Sequence, residues 1–509
     1  MNRRRVLPVG LVATLAALAL PAAAQAPRPR ALPAIDSMAI RANTYLLAHD
    51  LLEGRGTGRR GADLAALYLA TEAERLGLRG AGPGGSYYQS VPVVEATIDS
   101  ARTRLALVRE GSREEFAYGP GFIPNRGTTR TLVPFGGELV FLGTPQDLLK
   151  GLAALPPLAG RVAVVLGTFG ADIRAADTLR ARGAAGVIHL VGDDEAYQFF
   201  RRDRGASRLF LDPAAGVVSS TIPDIPAVIA SPALQRAIIG ALPGGGAERP
   251  AGPVVMAGLR VEASIGVVAR PVPARNVAAL LPGADPALAD EVVAFTAHYD
   301  HLGISTPDEH GDSIYNGFSD DAAGDAMLLA IAKTMQETGA RPARSVLFLF
   351  LIGEERGLLG SDYYAAHPLI PAARTVADIN LDAGAPPALC VNWRLAGADS
   401  STFGAVAIEV AHRAGWQAQS AAASPNTDYF PLLRIGIPAI FVVPGPEAYE
   451  GMTLEASNAL RQRWEHYHQA GDNWYADFPF AGLVRYADYA LRLGYAVASG
   501  PRPTMTTPR

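Results

Sequence analysis

The chain has 509 residues, 49% apolar and 18% charged, which is enough for two or three packed domains and excludes extensive disorder. Its formal net charge of −4 at pH 7 carries no whole-chain signature of a nucleic-acid binder. Cys390 is the sole cysteine, so an intramolecular disulfide is excluded and stability must come from packing, with or without a bound metal.

The first residues read as an export signal. Arg3, Arg4 and Arg5 precede an apolar run from Val6 to Leu20, followed by PAAAQA with small-residue cleavage patterns near Ala24 and Ala26. The run is short for a bilayer span, and no cysteine follows it to take a lipid. The reading is therefore a signal peptide over residues 1–26, a mature chain that is secreted or periplasmic in a bacterium, and no stable membrane anchor. The paired arginines are compatible with both the general and the twin-arginine export routes.

Residues 35–80 have helical periodicity, in IDSMAIRANTYLLAHDLL and ADLAALYLATEAERLGL, joined by the glycine-rich LEGRGTGRRG. That loop lacks a phosphate-loop lysine and a preceding strand, and reads as a connection. Residues 88–118 alternate like strands. Residues 27–119 are thus expected to lead into a larger unit. Between about 120 and 255, short apolar runs (GELVFLG, RVAVVLG, AGVIHLV) separated by Gly and Pro predict a small β-rich domain without ligand clusters. It closes at LPGGGAERPAGP.

From 256 to 500 the pattern becomes buried strands alternating with helices. EVVAFTA, SVLFLFLIG, TVADINLD and IPAIFVV predict an α/β fold with a mostly parallel central sheet and helices on both faces. Sites in such sheets lie beyond the carboxyl ends of the strands. Three of those ends carry chemistry here. EVVAFTA runs into His298-Tyr299-Asp300, where an imidazole can bind metal while a carboxylate or backbone group fixes its tautomer. NGFSDDAAG places Asp320 and Asp321 just before a helix. SVLFLFLIG ends in Glu354-Glu355, adjacent carboxylates that are costly after an apolar strand unless a cation compensates them. TVADINLD ends in Asp382, and His468 follows in EHYHQAGD. Two imidazoles with three carboxylates suit zinc, cobalt or manganese better than calcium. With one carboxylate shared, they can hold two ions about 3.5–4 Å apart.

These segments, AHYDHLG, DSIYNGFSDDAAG, FLFLIGEERGLLGSDYY, DINLDAG, TDYFPLLRIGIPAIF and YHQAGD, resemble in order the motifs of the aminopeptidase-Y-like zinc exopeptidases, metallopeptidase family 28. The likeness spans residues 275–495. LLEGRGTG resembles the lead-in of bacterial members, and the 120–255 region resembles a protease-associated domain. The resemblance implies the phosphorylase/hydrolase-like fold of zinc exopeptidases and two zinc ions. His298 and Asp382 would hold one ion, Glu355 and His468 the other, with Asp320 bridging. Glu354 would be the general base, and Asp300 would orient His298. Where the family commonly has ADDN, this chain has Phe318-Ser319-Asp320-Asp321, so a one-residue slip would make Asp321 the bridge. Where the family has S-D-H, it has Thr427-Asp428-Tyr429, which leaves Tyr429 as either a substrate-side group or a packed aromatic. The implied activity is removal of N-terminal residues from peptides. The alternatives are a carboxypeptidase or a single-zinc glutaminyl cyclase on the same fold.

Overall fold

Four parallel strands form the centre of a nine-stranded sheet: β1 (Val292–His298), β2 (Ser345–Leu351), β3 (Thr375–Asn380) and β4 (Ala439–Pro444). Their spatial order is β2-β1-β3-β4. The computed structural model describes residues 32–506 apart from 126–131, 152–154, 170–173, 205–206, 220, 222–224, 249 and 338–340. The expected export signal lies outside the described residues. From Ala34 onward the chain forms one compact unit. Among the described residues, no helix is long and apolar enough to cross a membrane.

β1, β2 and β3 are buried along their whole length, as continuous apolar runs require when both faces are covered. On one face, Ala294, Leu347 and Leu349 pack with Tyr364 and Leu432, from the helices Leu359–Ala366 and Tyr429–Arg434. On the other, Phe295 lies so close to helix Ala481–Ser499 that a Cβ on Gly494 would sit 2.4 Å from its ring. The α/β architecture is as expected, with a mixed edge on either side. Arg275–Leu281 runs antiparallel to β2, and Asn392–Ala396 antiparallel to β4.

A second, 10-stranded sheet is built around Val254–Val272, a 19-residue strand that pairs with Val93–Ile98, Arg104–Arg109 and Leu132–Phe141. It therefore draws on residues 93–272 and not only on 120–255. The alternation in 88–118 marks strands, but alternation does not say which sheet a strand joins.

Register places the ligand candidates at one level. His298 pairs with Leu351 and Thr296 with Asn380, so Glu354, Glu355 and Asp382 all follow within a few residues at the same carboxyl edge.

Candidate metal centre

His298 shows how the backbone sets up the chemistry. Its Nδ1–H donates to the carbonyl oxygen of Asp300 at 3.0 Å, which leaves the Nε2 lone pair facing outward. Nε2 meets Asp320 Oδ1 at 3.0 Å and Asp382 Oδ1 at 3.1 Å. On the other side of Asp320, Oδ2 lies 3.1 Å from His468 Nε2, which is itself 3.1 Å from Glu355 Oε2. Asp320 thus presents one oxygen to each of two donor groups. His298, Asp320, Asp382, Glu355 and His468 converge although they span positions 298 to 468.

Asp321 turns away. Its carboxylate accepts the backbone N–H groups of His298 at 3.3 Å and Gly324 at 3.0 Å. The Asp320–Asp321 peptide is cis. Asp320 is held by Asp472, whose carboxylate accepts the N–H groups of Ser319 at 3.0 Å and Asp320 at 3.1 Å. His468 sits at φ 56°, a left-handed conformation that costs a β-carbon-bearing residue on the order of 1 kcal/mol.

Two expected roles change. Asp300 was expected to orient His298 as a second-shell acid; its carbonyl does so, while its carboxyl Oδ1 stands 3.9 Å from Nδ1. The carboxylate instead accepts from the N–H of Gly353 at 2.7 Å and of Glu354 at 3.2 Å, and from the hydroxyl of Thr57. Tyr429 is fully buried, stacks on Phe441, and its hydroxyl bonds both backbone groups of Ser424. It belongs to the core rather than to the substrate side, because the short 424–429 loop closes over its polar tip.

The glycine-rich loop does more than connect. Arg55 is fully buried and donates to the carbonyls of Tyr299 at 2.7 Å, Leu47 and Asn316 at 2.5 Å, and Gly317 at 2.9 Å. It clamps the loop after β1 to the loop that carries Asp320. Thr57 fixes Asp300, and Arg59 reaches the second sheet through Glu95 at 2.6 Å. The sequence offered no signal for this, because an arginine among glycines also suits a solvated turn.

His301, not singled out in the sequence, is also at the centre. It is fully buried, with Nδ1 2.6 Å from Glu355 Oε1 and 3.8 Å from Asp320 Oδ2. Among the described residues, neither ring nitrogen has a hydrogen-bond partner, and nor do Asp320 Oδ2 and Glu355 Oε1. Buried polar atoms are nearly always satisfied, so these orphaned donors aimed at common points are what a metal site looks like. His298, Asp320 and Asp382 form one such group, and His301, Asp320 and Glu355 another.

The charges fit the same reading. Burial alone would raise Asp320, yet the His298 and His468 imidazoles hold it well below the usual range. Burial and Asp320 act to raise Glu355, but His301 and His468 bring it down to about 2. Burial opposes the charge on His468, and the two carboxylates overcome it, raising His468 to about 10. Protons here stand where cations would.

The centre opens into a cleft of about 870 Å³. Glu354, Arg356 and His468 lie on its wall, facing Glu95, Ser207 and Phe210 of the second sheet. Burial pushes Glu354 well above the ordinary carboxylate range; His298 opposes this, while Asp382 and Glu355 add to it. Its carboxylate makes no hydrogen bond among the described residues.

Residues 276–493 match the sequence profile of peptidase family M28. The likeness is to an M28 peptidase domain. A probable zinc metalloprotease of Pyricularia oryzae is 31% identical over 188 residues, which cover 30% of this chain and 36% of that relative. The chain therefore aligns with about a third of that curated relative. An aminopeptidase from Aneurinibacillus sp. strain AM-1 shares the fold at TM-score 0.52 and 18% identity, covering 93% of this chain and 97% of its own. BSAP, a zinc aminopeptidase from Bacillus subtilis, superposes at TM-score 0.48 and 16% identity, covering 92% and 96%. The M28 domain implies zinc, and its donor set of imidazoles and carboxylates fits that ion.

Proposed function

We propose that this chain is a secreted exopeptidase that holds two zinc ions and removes N-terminal residues from peptides. The observation that carries the reading is Asp320, with one oxygen toward His298 and the other toward His468. That is the arrangement a bridging carboxylate needs. His298 and Asp382 would complete one position, Glu355 and His468 the other. When bound, two dications polarise a peptide carbonyl and acidify water.

The protein groups do the rest. Glu354, free on the cleft wall and with a raised proton affinity, takes a proton from water and passes it to the leaving amine. Asp300 holds Glu354 in place through the backbone. The second sheet roofs the cleft, with Thr221 donating to the carbonyl of Gly357 at 3.0 Å, and limits access as a lid would. The solved structure that shares the fold is named an aminopeptidase, which supports cleavage from the amino end.

A second reading, carboxypeptidase, is favoured by Arg356. Its guanidinium donates to the carbonyl of Leu302 at 3.1 Å and has no acidic partner among the described residues. A panel of amino-acid nitroanilides, free and N-acetylated, together with N-blocked dipeptides that have a free carboxyl end, assayed with chelator and with zinc restored, tests the proposal. Zinc-restorable cleavage of the free forms alone is expected. Cleavage confined to N-blocked dipeptides with a free carboxyl end would establish the carboxypeptidase instead.

A further inference from the structure

The geometry points to His301 as a third imidazole ligand, so that the two metal positions are unequal: four protein donors enclose one and three leave the other open. This rests on the two-zinc reading above and extends it to a residue outside the implied ligand set.

His301 is fully buried, yet both of its ring nitrogens lack hydrogen bonds. An imidazole left so would lose its water without replacement, which is costly for a buried polar group. Nδ1 lies 2.6 Å from Glu355 Oε1 without hydrogen-bond alignment, so its lone pair and that oxygen sit side by side. Glu355 is flanked by two imidazoles, His301 at Oε1 and His468 at Oε2, the latter at 3.1 Å. Asp320 Oδ2 faces both rings, at 3.8 Å and 3.1 Å. Zinc ligands at 2.0–2.2 Å from the ion stand about 3–3.5 Å from one another, and these separations straddle that range.

The local chain makes room for the ring. Gly317, at φ 58°, would bring a Cβ within 2.5 Å of the His301 ring. The same glycine's carbonyl is tied down by Arg55. Opposite, His298, Asp320 and Asp382 offer three donors, the number that leaves zinc a coordination place for water or substrate. The Glu355 position is accordingly the tight one, filled first, and the His298 position the exchangeable one beside the base.

Titrating the metal-free full chain with cobalt(II), by calorimetry and by its visible spectrum, tests this. The unsubstituted protein should take two equivalents with separate affinities. His301→Ala and His301→Phe should weaken the tighter step about 10- to 100-fold, the range seen when support for a metal site is removed, and change the cobalt spectrum of the first equivalent. The weaker step should stay within about threefold. An unchanged first step and spectrum would overturn the assignment.

A measurement without substitution guards against misfolded variants. Paramagnetically shifted proton resonances of the cobalt-loaded protein should show three ligating imidazoles; two would overturn the inference. Failure of the underlying reading looks different. If the unsubstituted chain takes one equivalent that the His301 variants lose, the two-metal reading alone falls. If that single equivalent is indifferent to His301, both fall.

Discussion

The carboxylate of Asp300, at the end of β1, holds the backbone N–H of Glu354 at 3.2 Å and that of Gly353 at 2.7 Å. The strand that carries His298 thereby fixes the loop that carries Glu354. Asp300→Asn puts an amide where two N–H groups and a hydroxyl need acceptors. Metal content should remain near that of the unsubstituted chain, while kcat falls about 10- to 100-fold. Metal analysis beside steady-state kinetics checks this; loss of both ions would show that Asp300 supports His298 instead.

Adjacent glutamates should separate cleanly. Glu354→Gln is expected to keep both metals and lose about 10²–10⁴-fold in rate, the worth of a general base. Glu355→Gln should lower metal occupancy and melting temperature together, because bound metal stabilises only the folded state. The opposite pattern in metal content would exchange the two roles.

Arg55 should matter for stability more than any exposed arginine. Arg55→Met strips the carbonyls of Leu47, Tyr299, Asn316 and Gly317 of a charged donor inside the protein. Each buried carbonyl left alone costs about 1–3 kcal/mol, and with partial relaxation the total should be on the order of 3–5 kcal/mol. Arg55→Lys should recover only part, since one ammonium cannot reach four carbonyls in a fork. Denaturant midpoints of the metal-free proteins provide the comparison, and a shift under about 1 kcal/mol would refute the clamp.

The pH dependence follows from His468. In the metal-free chain it is raised from 6.5 to about 10, so its contribution is full below pH 6.5 and is lost as pH rises through about 10. Metal binds the neutral imidazole and replaces the proton, which removes that loss. The melting temperature of chelated protein should therefore fall between pH 7 and 10, while that of loaded protein stays nearly level. The gap between the two must widen with pH. A narrowing gap would contradict the shared site.

Much of the cluster was legible because acids and imidazoles placed directly after apolar runs leave a plain trace. His298, Glu355 and Asp382 were visible for that reason. His301 was harder, since it shares a segment with His298 and Asp300, and spacing alone cannot say whether a third polar residue faces inward. Arg55 was hidden by its setting, because glycines around an arginine look like a solvated turn until burial is known. Asp300 illustrates a different limit. The residue was found, but whether its carbonyl or its carboxylate meets the imidazole depends on a rotation that sequence does not encode. The fold divides similarly: the parallel strands announced themselves, whereas Val93–Ile98, buried at its first four positions, carries no mark of which sheet it joins and belongs to the other one.

The chain passes from the nine-stranded sheet to the ten-stranded one at 91–92 and returns at 273–274, and these crossings lie side by side. Ser90 is the register partner of Arg275, Val93 that of Val272, and the N–H of Val91 donates to the carbonyl of Ala274 at 3.0 Å. Everything between is a cassette whose ends stand one strand spacing apart, about 5 Å. Removing it asks only that Tyr88–Ser90 and the strand beginning at Arg275 be joined by a two-residue turn, which would close them as an ordinary hairpin in their existing register. A peptidase built on this plan can gain, lose or trade its roof in one genetic event without rethreading the catalytic sheet, so that evolution can revise which peptides enter while leaving the metal ligands untouched.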